Sequence, residues 1–345
     1  MRERQEIVKR WRRGEAVALA TLVRVKGSSY RHAGARLLIC KGGEYAGSIS
    51  GGCLEAEVVR KAEWTVRHGA VVERFSTLFD DTAEIPYGLG CGGTVDLLLE
   101  PAGTPEFEAL MEAIDGSLRG EVWRVRTQLP VEGRRLAREV GRGQREELLQ
   151  EEESVFAELL VPPQRLVVVG AGNDAQPVVQ VAAMLGWSVT VVDGRASWAR
   201  PERFPEADAV RVAASPAGLG ITSEDAVVVM THSYEQDRAW LAALLPLRPR
   251  YLGLLGARHR SALLVSEVAV MLGWSVESVC AGLFAPVGLD LGGDGAEAIA
   301  LAVVAEVHAF CEGKVGASRR MTAELVARQV AEGGASRYLQ AQCAL

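Results

Sequence analysis

The chain has 345 residues, 48% of them hydrophobic and 24% charged, enough for two ordinary domains each with its own core. A net charge of −6, without any basic stripe interleaved with aromatics, excludes the usual footprint of a nucleic-acid binder. Six cysteines without a C-x-x-C pair argue for free thiols over a disulfide framework or a structural zinc site.

The opening segment MRERQEIVKRWRRGE is charged throughout and lacks the apolar stretch of a secretory signal. No segment approaches the ~18 uninterrupted apolar residues of a membrane span, so a soluble cytoplasmic protein without a membrane span is expected. Ile7, Val8 and Trp11 fit one face of a short helix, and Ala16 to Val25 reads as a strand. Ala35 to Cys40, the turn Lys41-Gly42-Gly43-Glu44 and Tyr45 to Ser50 predict a hairpin. Leu54, Val58, Ala62 and Val66 then recur at helical spacing, with His68 as a cationic last turn and Gly69 as a stop. Strands follow at Ala70 to Phe75 and Thr94 to Glu100, so the first half is a mixed α and β domain with a partly antiparallel sheet.

Residues 101 to 163 read as a strand-bearing connector with a short helix near Pro105 to Ile114, a charged middle, and an end at Pro162-Pro163. Beyond it, strands at Leu166 to Val169, Ser188 to Asp193, Ala209 to Val212, Ala226 to Met230 and Tyr251 to Leu255 alternate with helical segments. That alternation predicts an α/β fold of Rossmann-like, doubly wound type, with a parallel sheet covered on both faces. The expected domains are 1–162, 163–312 and a short helix with a tail over 313–345. Asp294 and Glu297 read as a capping box opening a helix over Ala296 to Phe310, and His308 as a core or interface residue of that helix.

Three glycine-rich places can meet a ligand. LVVVGAGNDAQP is a buried strand, a loop and a helix start: Gly170 permits the tight turn, Gly172 lets backbone approach a phosphate, and Asn173-Asp174-Ala175 lead into the helix. Asp193, about twenty residues on, can accept from a ribose, while Arg195 can pair with that acid or contact a 2′-phosphate, so NAD and NADP both stay open. In SISGGCLEAEV a strand runs through Gly51-Gly52 into a helix, where unpaired N–H groups favour an anion, and Cys53 on the first turn is expected to be an activated thiol. Cys91 in GLGCGG is flanked by glycines in the same way, and Gly27-Ser28-Ser29 with Arg31 form a third loop that can converge on one pocket with both cysteines.

Near the predicted carboxyl edge of the parallel sheet, His232 in MTHSYEQD and His259 in LLGARHR can donate protons, bind phosphate or be polar loop residues. Gly256 brackets a strand end beside Arg258 and Arg260, which can donate to phosphate oxygens. No catalytic constellation is evident, and an oxidoreductase using NAD(P) or a nucleotide sensor is the alternative to a binding protein.

GSSYRHAGARLLI, GSISGGCLEAEVV and GLGCGG resemble the N-terminal motifs of the xanthine dehydrogenase accessory factor family, XdhC/CoxI. RLVVVGAGNDAQP, VTVVDGRASWARPERFPEAD, THSYEQDR, YLGLLGARHR and APVGLDLGGDGAEAIALAVVAE are similar, in order, to its C-terminal Rossmann domain. The resemblance implies a cytoplasmic maturation factor that binds molybdenum cofactor (molybdopterin), protects it while its terminal sulfur is installed, and inserts it into a molybdenum hydroxylase such as xanthine dehydrogenase. It implies a cysteine desulfurase as a second partner, and a homodimer is a further expectation. Cys53 and Cys91 would then bring soft sulfur near a metal or persulfide.

Overall fold

A computed structural model describes residues 1–27, 29–76, 93–131, 133–144 and 154–314. The chain divides into two compact units, one of Met1–Gly172 with Val179–Ala214 and one of Asn173–Val178 with the chain from Ser215 onward.

The first unit begins with α1 (Arg2–Arg12) and continues through β1 (Ala16–Lys26), β2 (Arg36–Cys40) and β3 (Tyr45–Gly47) to α2 (Glu55–Thr65). After β4 (Val71–Ser76) and β5 (Thr94–Pro101), these strands form an antiparallel sheet in the order β3-β2-β1-β5-β4. Alternation along β1 explains its burial on both faces. Ala18, Ala20 and Leu22 pack with Val58 and Ala62 of α2, whereas Leu19 packs on the opposite side with Ile7 and Val8 of α1. The hairpin strand β3 stops at Gly47 because the next residues leave the sheet to build a loop. A short 3-10 turn carries α2 on to His68, and Gly69 closes it at φ +118° and ψ −173°, outside the left-handed helical region.

α3 (Pro105–Leu118) starts where Thr104 Oγ1 accepts from the Phe107 N–H at 3.2 Å, with Pro105 in the first turn. The charged connector then folds as a three-stranded antiparallel sheet, β6 (Trp123–Gln128), β7 (Ala137–Arg142) and β8 (Val155–Leu160), in the order β7-β6-β8. Its first two strands are hard to see in hydropathy because their sequences, WRVRTQ and AREVGR, break up the apolar residues with arginine and other polar side chains.

β9 (Arg165–Val169), α4 (Ala175–Met184), β10 (Ser188–Asp193) and β11 (Ala209–Val212) follow, then β12 (Ala226–Val229), α5 (Tyr234–Leu244), β13 (Tyr251–Leu254), α6 (Arg258–Leu272), α7 (Val276–Ala281) and α8 (Ala296–Cys311). The five strands form a parallel sheet ordered β11-β10-β9-β12-β13, the arrangement of a Rossmann fold. Leu166 to Val169 and Ala226 to Val229 are wholly buried, as central strands covered on both faces must be.

Two expectations are corrected. The N-cap of α8 is Gly295, with no side-chain cap bond, so Asp294 sits one residue too early to form a capping box. His308 is exposed, which removes its core reading. The expected short helix and tail lie beyond residue 314, outside the described residues.

Candidate functional site

Between β3 and α2 the segment Ser48 to Leu54 wraps around one carboxylate. Glu55 is 3% exposed. Its Oε1 accepts from the Ser48 hydroxyl at 2.8 Å and from the N–H groups of Ile49, Ser50 and Gly51 at 3.0, 2.9 and 3.2 Å. Its Oε2 accepts from the Gly52 N–H at 2.9 Å and from the Ser50 hydroxyl. Burial pushes the carboxyl pKa up, but hydrogen bonds from the hydroxyl and N–H of Ser50 and from Ser48 outweigh that and bring it down to about 2. Successive N–H groups of this kind form an anion nest, and here the chain's own glutamate fills it. The expectation of unpaired donors after Gly51-Gly52 is therefore corrected. Cys53 is also displaced from its expected place: Leu54 is the N-cap of α2, so the exposed thiol precedes the helix and is not on its first turn.

Gly51 has φ +87°, and a Cβ there would come within 2.8 Å of Tyr30 Cδ1. The Tyr30 ring, 74% exposed, thus lies against the nest and brings the Gly27 loop to it. Within that loop Gly27 has φ +81°, the Ser29 hydroxyl accepts from the Arg31 N–H at 3.3 Å, and Arg31 pairs bidentately with Glu3 at 3.1 and 2.5 Å. Ser28 and Cys91, with most of GLGCGG, lie outside the described residues.

A second carboxylate organises the loop after β9. Gly170, at φ +116°, donates its N–H to Val192 O at 2.7 Å, and the Ala171 N–H donates to Asp193 Oδ2 at 2.8 Å. Asp193 is 3% exposed, and it also accepts from Arg195 through the backbone N–H, Nε and Nη2 at 2.8, 2.9 and 2.8 Å. Burial raises its pKa, but these donors prevail and the net shift is downward. Of the two roles open to Arg195, the pairing is the one observed, with the guanidinium also 4.6 Å from the Trp198 ring centre. Both oxygens of the ribose candidate are accordingly engaged within the protein. Gly172 is buried and Asn173 exposed.

In the second unit, His232 adopts φ 60° and its Nε2 lies 2.8 Å from Asp174 Oδ2. Asp237, wholly buried, accepts from the Thr231 hydroxyl at 2.5 Å and from Arg260 Nη2 at 2.5 Å. Arg260 therefore serves the fold, whereas Arg258 and His259 on the first turn of α6 are exposed. Gly256 faces Arg260: a Cβ would sit 3.0 Å from Nη1.

Glu55, Tyr30 and Asp237 escape a reading based on glycines and cysteines. A signal for Glu55 does exist in S-x-S-G-G-x-x-E, a carboxylate within loop-closing reach of two hydroxyls and a glycine pair. Among the described residues no group of three or more His, Cys, Asp or Glu could hold a metal ion, and no helix is long and apolar enough to cross a membrane. Cys40, Cys53, Cys280 and Cys311 are not joined in disulfides.

Residues 10–76 match the model of the XdhC and CoxI family, and residues 166–307 match the XdhC Rossmann domain. The chain is 30% identical over 330 residues to a protein of Bacillus subtilis strain 168 described as a probable xanthine dehydrogenase subunit, spanning 85% of this chain and 92% of that one. It is 26% identical over 309 residues to the molybdenum cofactor insertion chaperone PaoD of Escherichia coli K12, spanning 85% and 83%. A crystal structure described as a xanthine dehydrogenase from Bacillus halodurans superposes with a TM-score of 0.77 at 26% identity, over 94% of this chain and 99% of that one. Matched in both halves and along most of its length, the chain belongs to the XdhC and CoxI family.

Proposed function

We propose that this protein is a molybdenum cofactor-binding maturation chaperone, which protects the cofactor during sulfuration and inserts it into a molybdenum hydroxylase such as a xanthine dehydrogenase. The observation that carries this reading is the similarity to PaoD, a molybdenum cofactor insertion chaperone, over 85% of the chain. Kinship with a protein named for xanthine dehydrogenase supports a hydroxylase client.

The cofactor is cargo, and its sulfuration assigns the second partner, a cysteine desulfurase, and a cytoplasmic place of work. The N-terminal loops, with Gly27, Ser28, Ser29, Arg31 and Cys53, are read as the surface that meets the cargo, Gly51 and Gly52 shaping that surface while their N–H groups serve Glu55. Gly170, Gly172, Asn173, Asp193, Arg195, His232, Gly256 and Arg258 are assigned to the Rossmann half of the apparatus, and the division at 162 and 312 is retained as its domain plan. Exposed Val270 and Met271 on α6, at 81% and 57%, support a protein partner, including a second copy in a homodimer.

A nicotinamide-dependent oxidoreductase is the second reading, favoured by the Gly170 loop at a strand-to-helix junction. Occupation of both Asp193 oxygens by Ala171 and Arg195 weighs against it.

The test is reconstitution of apo-hydroxylase with supplied cofactor, using wild type and Cys53→Ala. Wild type is expected to raise client activity over an unrelated protein, and to co-purify with pterin and molybdenum from a host that makes the cofactor. Cys53→Ala is expected to keep the bound pterin and lose most of the stimulation. Absence of both the enrichment and the stimulation with wild type would refute the chaperone.

A further inference from the structure

Beside the Gly27 loop, within the first unit, a cavity of about 440 Å³ opens between α1, the β1–β2 connection and β8. Its volume falls in the range of small-molecule sites. Ile7 and Ile114 contribute apolar wall, and Arg4, Arg31 and Arg36 bring three guanidinium groups to it against the carboxylates of Glu3 and Glu158.

Both carboxylates are spoken for. Arg31 forks onto Glu3, and Arg36 pairs with Glu158. The surplus charge rests on Arg4, whose hydrogen bond among the described residues is from Nη1 to the Val161 carbonyl at 3.1 Å. Burial, and then the neighbouring Arg36, push the Arg4 pKa below its usual range. Arg36 is held in place behind the cavity wall: its side chain is 2% exposed, Nη1 donates to Gly34 O at 3.0 Å, Nη2 pairs with Glu158, and only the buried Nε has no partner among the described residues. A buried cation that Glu158 offsets only in part costs stability unless an acceptor of opposite charge arrives. Tyr30, which lines the same cavity, is mostly exposed.

We propose that this cavity binds a planar heterocyclic phosphate, with Arg4 donating to the phosphate oxygens, Arg36 adding positive charge behind it and Tyr30 lying against the ring. A phosphate suits a guanidinium donor with further positive charge behind it, and a tyrosine supplies a flat apolar face at low entropic cost. The phosphate half stands on the cavity alone. The choice of a pterin ring over a nucleotide base rests on the chaperone reading.

The experiment is calorimetric titration of the full chain with 6-hydroxymethylpterin monophosphate, unphosphorylated 6-hydroxymethylpterin, CMP and inorganic pyrophosphate. Phosphorylated pterin is expected to bind about tenfold or more tightly than its unphosphorylated form, and pyrophosphate to compete with it. Arg4→Gln is expected to weaken both phosphate-bearing probes about tenfold, and Arg4→Lys to recover part of the loss. Tyr30→Ala, at an exposed position, is expected to weaken the pterin phosphate several-fold and leave pyrophosphate unchanged. Tighter CMP than pterin phosphate supports the site and identifies a nucleotide as its source.

Equal binding with and without the phosphate, or wild-type affinity in a folded Arg4→Gln, overturns the proposal. If Arg4→Gln does not fold, pterin phosphate bound to wild type without competition from pyrophosphate overturns it instead. Molybdenum cofactor carried equally by wild type and Arg4→Gln would remove the cavity and leave the chaperone. Phosphate binding that depends on Arg4, in a protein carrying no such cofactor, would do the reverse.

Discussion

The side chain of Glu55 answers a question that its neighbours pose. Two serines, two glycines and a cysteine in sequence look like a cradle awaiting an anion, and the anion is already covalently part of the chain. Because the folded carboxyl sits at about 2 against an ordinary 4.5, the unfolded chain takes up a proton first as pH falls. The contribution of Glu55 to stability is therefore complete above pH 4.5 and is lost as pH drops toward 2. Glu55→Gln, which sets an amide group against amide donors, is expected to lower stability by about 2–3 kcal/mol at neutral pH. Urea titrations of the two proteins should show that gap shrinking over the same acid range. A gap that is constant with pH would mean that the carboxylate charge is not what the nest holds.

Among elements, the three-stranded sheet is fastened to the five-stranded antiparallel one by two ion pairs, one of which buries both partners. Arg138 of β7 forks onto Glu100 of β5 at 2.9 and 3.0 Å, with side chains 2% and 0% exposed, and Arg36 of β2 pairs with Glu158 of β8. Glu100→Ala leaves Arg138 buried without its counter-charge, and a loss of about 3–5 kcal/mol is expected in thermal or urea unfolding. Replacing both residues by methionine is expected to restore much of it, since neither charge is then stranded. These strands also show why the connector is hard to read. A strand whose inward residue is an arginine gives no apolar alternation, and the partner that makes the arginine admissible lies 38 residues away in sequence. The parallel sheet is legible for the opposite reason: its central strands are apolar on both faces and need no partner to declare themselves.

At the scale of the whole molecule, the net charge is −6, and among the described residues Arg36, Arg138, Arg195 and Arg260 are committed to internal carboxylates. Fluorescence anisotropy with mixed-sequence duplex DNA is accordingly expected to show no binding at physiological ionic strength. Glycines and strand order were sufficient to recognise both halves of the chain, because turns and buried strands are written locally. The internal anions were not, because a nest is a property of backbone direction and appears only once a loop has closed. That closure has a consequence for traffic. In the Ser48 to Leu54 loop the N–H groups of Ile49, Ser50, Gly51 and Gly52 are already held by Glu55, so a ligand that meets the loop finds no unpaired donor among them and leaves none behind. If the cargo meets this loop, as proposed, a carrier that must surrender it gains from such indifference: the energy of holding can be concentrated at a few contacts elsewhere, which the recipient then needs only to outbid.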